Sequence, residues 1–232
     1  MQSSTWRALG NAYVVAEPRD VRLEAADAAV LARGADGVVE IVAVSEDRVE
    51  IVIWNPDGSR AELSGNGTRI AAAWLAARSG AARMEVVVGD RSVTTRILDH
   101  GVIEQDLGEV AVEPPVTIEG FSVIPVSVGN PHAVVIGDPD RIREIGPLLE
   151  RHPRFPSRTN VQVARVDAPG RVTARVWERG VGETASSGTS AVAIAAATHG
   201  EGDVLVRFPG GELRVRLENG RALLYGSAEL VS

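Results

Sequence analysis

Apolar and polar residues alternate over most of this chain, in short runs separated by turn residues. Runs of this kind, rich in Val and Ile, predict β-strands. Two other segments predict helices: residues 23–33, which end at Gly34, and residues 138–151, which begin with an acidic cap and a proline. The predicted strands are residues 12–16, 38–44, 49–54, 121–128, 133–136, 159–166, 172–177, 204–208, 213–217 and 222–231, with further short strands and hairpins within 84–107.

Two more helices are predicted at residues 64–78 and 191–197, and both contain a long stretch without charge. Residues 70–77 and 191–197 have no charged side chain on any face, and a helix that is apolar all round is a buried helix. The pattern therefore predicts an α+β fold of two pseudo-symmetric domains, each a mixed, mostly antiparallel sheet wrapped around a central buried helix. A Pro-Pro boundary at 113–115 divides residues 1–113, joined by a C-terminal strand at 222–232, from residues 116–221.

A polar segment precedes each uncharged helix, and the two segments match when one is shifted by 123 residues. Trp54 then falls on Trp177, and Ser64-Gly65 falls on Ser187-Gly188. A polar side chain also stands nine residues before each serine. We interpret this duplication as two halves of one site, in which each half supplies one serine and one helix N-terminus.

Composition excludes several kinds of chemistry. The chain has no cysteine, which excludes disulfides and thiolate metal sites, and the spacing of its four histidines predicts no metal site. Every basic residue is an arginine, so a lysine Schiff base, and with it pyridoxal phosphate chemistry, is excluded. The net charge of −7 argues against nucleic acids and anionic membranes as partners. No apolar stretch is long enough to span a bilayer, and the first residues do not resemble a signal peptide, so a cytoplasmic protein is expected.

The paired helix starts suggest a chemistry. The first N–H groups of a helix lack partners within the helix and carry the positive end of its dipole, so two facing N-termini would bind one carboxylate from two sides. They would also stabilise negative charge that develops beside it. A hydroxyl on either face could then take a proton from one side and return one to the other. The simpler interpretation is that Ser64 and Ser187 only cap their helices, but the duplication favours a site.

At these segments the chain resembles the diaminopimelate epimerase family. The signatures of that family are Asn-x-Asp-Gly-Ser leading to Cys-Gly-Asn-Gly, and Glu-Arg-Gly-x-Gly-Glu-Thr leading to Cys-Gly-Thr. Here they stand at residues 55–59 and 64–67, and at residues 178–184 and 187–189. The resemblance extends to residues 10–11, 34–37, 129–132, 158–160, 209–213 and 226–228, which covers nearly the whole chain.

The resemblance implies a cofactor-independent epimerase that interconverts LL- and meso-diaminopimelate by two-base proton transfer at the α-carbon, in a cleft between the domains. It also implies lysine and cell-wall precursor synthesis in a bacterial cytoplasm, and a homodimer. The catalytic positions are Ser64 and Ser187, with His132 in support. The distal end of the substrate would be bound by Asn11, Asn55, Asn130, Asn160, Glu178 and Arg179, and the reacting carboxylate by backbone N–H groups of Gly65, Asn66, Gly188 and Thr189.

Each assignment has a plainer alternative. The asparagines stand beside Gly or Pro and have the composition of ordinary turns. Glu178 and Arg179 fit a surface ion pair, and His132 fits a buried histidine with satisfied hydrogen bonds.

One departure from the family falls on the reacting groups. Members have cysteine at both base positions, where this chain has Ser64 and Ser187. A thiol has a pKa of about 8.5 and a helix N-terminus lowers it, whereas a serine hydroxyl is much less acidic. Three interpretations stay open: an epimerase whose cysteines were replaced by serines, a natural serine variant acting as a racemase, isomerase or dehydratase on a related amino acid, and a non-catalytic amino acid binding protein.

Overall fold

The structure, a computed structural model, describes residues 3–18 and 21–231. Contacts along the backbone divide the chain into two compact units. Unit 1 is Met1–Asp106 with Tyr225–Ser232, and unit 2 is Leu107–Leu224. The domain boundaries expected from the sequence, at residues 113–116 and 221–222, stay a prediction.

Unit 1 contains two helices and most of the N-terminal strands. A 3-10 turn at Asp99–Gly101 joins two of its strands, and the short strand Glu229–Leu230 pairs with the strand Ser3–Ala8. The elements are β1 (Ser3–Ala8), β2 (Asn11–Ala16), α1 (Ala25–Leu31), β3 (Gly37–Val44), β4 (Arg48–Trp54), β5 (Arg60–Ala61), α2 (Gly65–Ser79), β6 (Arg83–Val88), β7 (Arg91–Ile97), the first part of β8 (Val102–Glu109), and β19 (Glu229–Leu230).

Unit 2 contains the other two helices. A 3-10 turn at Pro139–Arg141 leads directly into the helix Ile142–Glu150. The side chain of Asp138 accepts a hydrogen bond from the N–H of Asp140 at the start of this turn. The elements are the last part of β8, then β9 (Ala111–Val112), β10 (Val116–Ile118), β11 (Phe121–Ser127), β12 (Pro131–Ile136), α3 (Ile142–Glu150), β13 (Asn160–Ala168), β14 (Arg171–Glu178), β15 (Gly182–Thr184), α4 (Gly188–Thr198), β16 (Gly202–Phe208), β17 (Gly211–Glu218) and the first part of β18 (Arg221–Ser227).

The two units have the same order and pairing of elements. In unit 1, β2 is parallel to β3, β3 antiparallel to β4, β4 parallel to β6, and β6 antiparallel to β7. In unit 2, β12, β13, β14, β16 and β17 repeat this series of directions. Each parallel step is crossed by one helix, because parallel neighbours need a long connection. The duplication seen in the sequence is therefore a duplication of topology.

The uncharged helices α2 and α4 form the centres of the two units. Helix α2 packs against β1, β2, β3, β4, β6 and β7, and α4 packs against β11, β12, β13, β16 and β17. Every residue of α4 from Gly188 to Ala196 is buried. A mixed sheet thus wraps around one buried helix in each unit, which confirms the predicted fold class.

The short helices α1 and α3 cover a second core in each unit, and the matched tryptophans lie in it. Trp54 packs with Leu23, Ala28 and Val38, and Trp177 packs against a cluster that includes Ile145. Gly146 shows how close this contact is, since a Cβ atom added there would lie 2.7 Å from the Trp177 side chain. The tryptophans are therefore core residues that anchor the polar segments following them.

Most predicted elements are present, and the differences have local causes. Helix α1 begins at Ala25, because Glu24 has an extended backbone and acts as the N-cap in a capping box with Asp27. The N–H of Leu23, before the helix, donates to Glu40 Oε1 at 2.8 Å. Strand β1 was not expected, since its sequence is mostly polar and buries only Trp6 and Ala8 fully. The predicted boundary at residues 113–115 lies between two short strands, β9 and β10.

Candidate functional site

In unit 1, Ser64 is the N-cap of α2. Its backbone is extended, and its Oγ accepts a hydrogen bond from the N–H of Gly67 at 3.1 Å. The Tyr13 hydroxyl on β2 lies 3.4 Å from the same oxygen. Ser64 therefore caps its helix, as the simpler interpretation expects. Its hydroxyl also faces Tyr13, which was not predicted from the sequence.

In unit 2, Ser187 occupies the matching position before α4 but is held differently. Its backbone carbonyl accepts from the N–H of Ala191 at 3.0 Å, as an N-cap carbonyl does. Its side chain makes no capping hydrogen bond, although the residue is only 4% exposed. Side-chain capping thus does not account for the serine at this position.

Both helix starts fit an anion. Neither α2 nor α4 has an acidic residue in its first turn, so no carboxylate there opposes the positive end of the dipole. The residues that follow the serines are Gly65 and Asn66 in α2 and Gly188 and Thr189 in α4, and all of them are buried. Small side chains at a helix start leave its N–H groups open to an anion. We call these two helix starts the α2 cradle and the α4 cradle.

A buried polar network stands behind the α2 cradle. Arg69 Nη2 donates to Asn66 Oδ1, and Arg69 Nη1 donates to Gln105 Oε1 at 3.2 Å. Gln105 Nε2 in turn donates to Thr68 Oγ1 at 2.7 Å. Burial lowers the pKa of the Arg69 guanidinium to about 10, which leaves it charged at neutral pH. Arg69 was not predicted from the sequence, although a lone arginine directly before the uncharged stretch 70–77 was a visible signal.

A second network stands behind the α4 cradle. Gln162 Nε2 lies 3.0 Å from His132 Nδ1 and 2.9 Å from Ser190 Oγ, and His132 Nε2 lies 2.9 Å from Asn130 Oδ1. Because the Gln162 amide can only donate to Nδ1, the proton is assigned to Nε2, which donates to Asn130. Asn130 Nδ2 then donates to Thr189 Oγ1 at 3.4 Å. Burial, with a contribution from the Arg179 charge, lowers the pKa of His132 to about 3.

The segment that contains Glu178 and Arg179 is hydrogen-bonded to the strands that carry the His132 network. Asn160 Oδ1 accepts from the N–H of Arg179 at 3.0 Å, and Asn160 Nδ2 donates to the carbonyl of Pro131 at 3.1 Å. Thr184 Oγ1 donates to Glu178 Oε2 at 2.8 Å. The structure thus brings Asn130, His132, Asn160 and Arg179 together within unit 2 through direct hydrogen bonds and short backbone links.

Two buried carboxylates hold the matched tryptophans, and neither was predicted. In unit 2, Glu150 accepts from Trp177 Nε1 at 2.9 Å, from the N–H of Gly180 at 2.9 Å and from Arg158 Nη1 at 3.2 Å. In unit 1, Glu40 accepts from Trp54 Nε1 at 2.9 Å. Their positions at a helix end and in mid-strand gave no sequence signal, because the pairing depends on tertiary packing.

Asn11 and Asn55 belong to unit 1, with Ser64 and the α2 cradle. Asn11 is buried at the start of β2, where the next residue is fixed by Asp36 Oδ2, which accepts from the N–H of Ala12 at 2.7 Å. Asn55 Nδ2 donates to Ser59 Oγ at 2.9 Å within a tight turn, so the turn interpretation describes Asn55 as it stands. Asn130, His132, Asn160, Glu178, Arg179 and Ser187 belong to unit 2.

Two features of the described residues concern metal binding and membrane insertion. Among residues 3–18 and 21–231, no group of three or more His, Asp or Glu side chains is arranged to hold a metal ion. Within the same residues, none of the helices has the length and apolar character needed to cross a membrane.

Comparisons with known proteins place the chain. The family model described as diaminopimelate epimerase matches residues 124–231. The diaminopimelate epimerase of Desulforudis audaxviator is 38% identical, over 85% of this chain and 82% of that protein. The diaminopimelate epimerase of Xanthomonas campestris pv. campestris is 37% identical, over 96% of this chain and 91% of that protein.

Solved structures share the fold at low sequence identity. A predicted epimerase from Pseudomonas aeruginosa superposes with a TM-score of 0.77 and 16% identity, covering 99% of this chain and 96% of that one. A hydroxyproline epimerase from Agrobacterium vitis, with bound trans-4-hydroxy-L-proline, gives a TM-score of 0.72 and 16% identity over 100% of this chain and 89% of that one. The duplicated topology described above is thus a known fold. On the sequence identities, the predicted isomerase is confirmed: the chain belongs to the diaminopimelate epimerase family.

Proposed function

We propose that this chain binds diaminopimelate and that Ser64 and Ser187 occupy the positions of the two bases in an LL-to-meso epimerisation. The observation that carries the proposal is the duplicated cradle. Each unit has a serine at the start of a buried helix, small residues after it and no acid in the first turn. Relatives that are 38% and 37% identical to this chain are named diaminopimelate epimerases.

In the proposed reaction, one base removes the α-proton and the electron pair of the broken C–H bond is delocalised into the adjacent carboxylate. A proton held by the second base is then added to the opposite face of the same carbon. The backbone N–H groups of Gly65, Asn66, Gly188 and Thr189 donate to the carboxylate and stabilise the charge that develops there. The proposal therefore requires both serine positions to reach one α-carbon.

The distal end of the substrate is a second zwitterion and needs its own partners. We assign Arg179 to its carboxylate, because a guanidinium binds a carboxylate with two parallel hydrogen bonds. Glu178 and the side-chain oxygens of Asn11, Asn55, Asn130 and Asn160 are assigned to the distal ammonium and the remaining polar groups. His132 is neutral and buried, so its proposed role is to orient Asn130 rather than to transfer protons.

The acidity of the side chains at positions 64 and 187 limits the rate of proton transfer. A general base works best when its pKa lies near the operating pH. A cradle-bound thiol approaches this condition, and a serine hydroxyl does not. We therefore expect the chain as it stands to bind substrate but to catalyse little or no exchange.

The test measures exchange of the α-hydrogen of diaminopimelate in deuterated water. The S64C/S187C variant should exchange about 10²- to 10⁴-fold faster than the unchanged chain. As a matched control, S64C combined with S45C, at an exposed loop position, introduces the same number of thiols without completing the pair. Exchange that stays absent in S64C/S187C, while the protein remains folded, would remove the epimerase proposal.

A second candidate function is favoured by the serines themselves. With the binding motifs retained and both thiols replaced, an amino acid binding protein would have this sequence. It would show saturable heat of binding for one amino acid and no exchange in either form. A catalytic serine variant acting as a racemase, isomerase or dehydratase would instead turn over a related amino acid without any cysteine, which the same assay detects with a panel of amino acids.

Two further proposals rest on the family alone. A homodimer is expected from the resemblance, and sedimentation of the purified chain at several concentrations would test it. A cytoplasmic location is expected on the same ground, and fractionation of the source cells would test that.

A further inference from the structure

Arg69 is the feature of the α2 cradle that the proposed function leaves unused. It lies in the first turns of α2 and is 0% exposed. Both recorded hydrogen-bond partners of its guanidinium are neutral amide oxygens, on Asn66 and Gln105. Its Nε has no partner in the described part of the chain, and no carboxylate among the described residues pairs with it.

An unpaired buried cation destabilises a fold, so most buried arginines face a carboxylate. Here, burial lowers the pKa only to about 10, and the guanidinium stays charged at neutral pH. Since the charge lies in a region of low dielectric, its field is weakly screened and extends over neighbouring groups. The Asn66 side chain that it holds belongs to the α2 cradle itself.

The α4 cradle differs in this respect. No charged residue occurs within α4, and the ring that supports the cradle, His132, is neutral. The charge that acts on His132 is that of Arg179, whose guanidinium donates to the carbonyl of Ser157 and is partly exposed. Solvent screens a partly exposed charge far more than a buried one.

We infer that Arg69 is a positioning residue that fixes Asn66 and adds a buried positive charge to the α2 cradle, so that an acid placed at position 64 is stronger than the same acid at position 187. This inference deepens the proposed function and rests on it for its role in catalysis. Two chemically matched bases would then not be equivalent. The group at position 64 would be ionised, and the group at position 187 would hold its proton, before substrate binds.

Other ionisable groups on the elements that pack against α2 are engaged elsewhere or are at least partly exposed, with one exception. Glu40 on β3 is held by Trp54 and Leu23, and Glu17 after β2 by Trp74 and Arg78. The exception is the Tyr13 hydroxyl, which faces Ser64 directly and also interacts electrostatically with Arg69. On the remaining strands these groups are Arg7 on β1, Arg48 and Glu50 on β4, Arg83 and Glu85 on β6, and Arg91 and Arg96 on β7.

The test uses single cysteines as probes, with no substrate present. In S64C and in S187C, the thiol pKa is measured from the pH dependence of thiolate absorbance and of alkylation rate. We expect the S64C thiol to be at least about tenfold more ionised at neutral pH than the S187C thiol. Adding R69Q should raise the S64C thiol pKa by about one unit or more and leave that of S187C unchanged.

Controls separate the charge from the fold. R78Q removes an exposed arginine at the far end of the same helix and should not shift the S64C thiol. R69K keeps the charge and should retain most of the effect. An unchanged S64C thiol pKa in a folded R69Q protein would overturn the inference. If R69Q does not fold, equal pKa values for S64C and S187C in the otherwise unchanged chain would overturn it. Because no turnover is measured, these results are independent of whether the chain epimerises diaminopimelate.

Discussion

At the scale of single residues, buried polar groups fix the motifs of each unit. Glu150 is 4% exposed and accepts from Trp177, Gly180 and Arg158, so one carboxylate holds both sides of the segment that contains Glu178 and Arg179. In unit 1, Glu40 does the same for Trp54. These carboxylates shape the loops without belonging to the signature motifs.

Replacing Glu150 with Gln should therefore lower both stability and ligand affinity. The amide keeps one acceptor oxygen but loses the charge and one acceptor, which leaves a buried donor unpaired. We expect a loss of about 1–3 kcal/mol in the free energy of unfolding, measured by urea denaturation. E144Q is the matched control, because Glu144 forms an exposed pair with Arg141 and such pairs contribute less than about 1 kcal/mol. Equal stabilities for the two variants would contradict the role given to Glu150.

His132 predicts a dependence of stability on pH. Its pKa is about 3 in the folded chain against an ordinary 6.5, because burial disfavours the charged ring. Between these values the unfolded chain binds the extra proton, so the free energy of unfolding falls as the pH falls through this range. From about pH 7 to about pH 5, the contribution of His132 to this loss is about 2 kcal/mol.

H132Q should remove that part of the pH dependence, since Gln can still donate to Asn130 but does not titrate. The comparison is between urea denaturation curves of the unchanged chain and H132Q at both ends of the range. H199Q, at the partly exposed C-cap of α4, is the control. If H132Q loses as much stability on acidification as the unchanged chain, the buried neutral ring is not the cause.

At the scale of elements, the sequence predicted what depends on local pattern and failed where partners are distant. The absence of charge in residues 70–77 and 191–197 was enough to predict two buried helices, because no other environment suits such a surface. The matched serines followed from the same repeat. Strand β1 was not predicted, because its mostly polar sequence forms a strand only through pairing with β2 and β19.

The networks behind the cradles could not be predicted for a related reason. Gln105 and Gln162 lie in the middle of strands, and each reaches the first turns of a helix 36 or 28 residues away in sequence. A glutamine in a strand has no sequence signature for such a contact. Arg69 alone interrupted a visible pattern, because it is a charged residue directly before the uncharged stretch 70–77.

The packing of α3 against β14 gives a prediction about an element contact. A Cβ atom at Gly146 would lie 2.7 Å from Cβ and Cγ of Trp177, where neither atom can move without shifting the strand. G146A should therefore cost about 1–3 kcal/mol through overpacking, reduced by up to about 1 kcal/mol of helix propensity. G137A is the control, since the nearest atom to a Cβ at that position is 4.0 Å away. Thermal unfolding that shows the two variants to be equally stable would mean that α3 can shift freely.

At the scale of the whole molecule, the chain is one topological unit used twice with different chemistry. The order of helices and strands repeats, and so do the serine, the tryptophan and the carboxylate that holds it. What differs is the charge behind each cradle: a buried guanidinium in unit 1 and a neutral imidazole in unit 2. Under the proposed function, these unlike halves would hold two unequal bases for one reacting carbon.

The proposal that both units serve one ligand makes a prediction about stoichiometry. Titration calorimetry with meso-diaminopimelate should give one ligand per chain, and N55A in unit 1 and N160A in unit 2 should each weaken that same binding event. Each lost hydrogen bond to a charged ligand is expected to cost about 1.5–3 kcal/mol, or roughly 10- to 150-fold in Kd. Bound ligand at 100 times its Kd should also stabilise the folded chain by about 2.7 kcal/mol, an increment that both variants would reduce. Two ligands per chain, or binding that one of the two substitutions leaves unchanged, would mean that the two units bind ligand separately. Such a result would contradict a two-base reaction at one carbon.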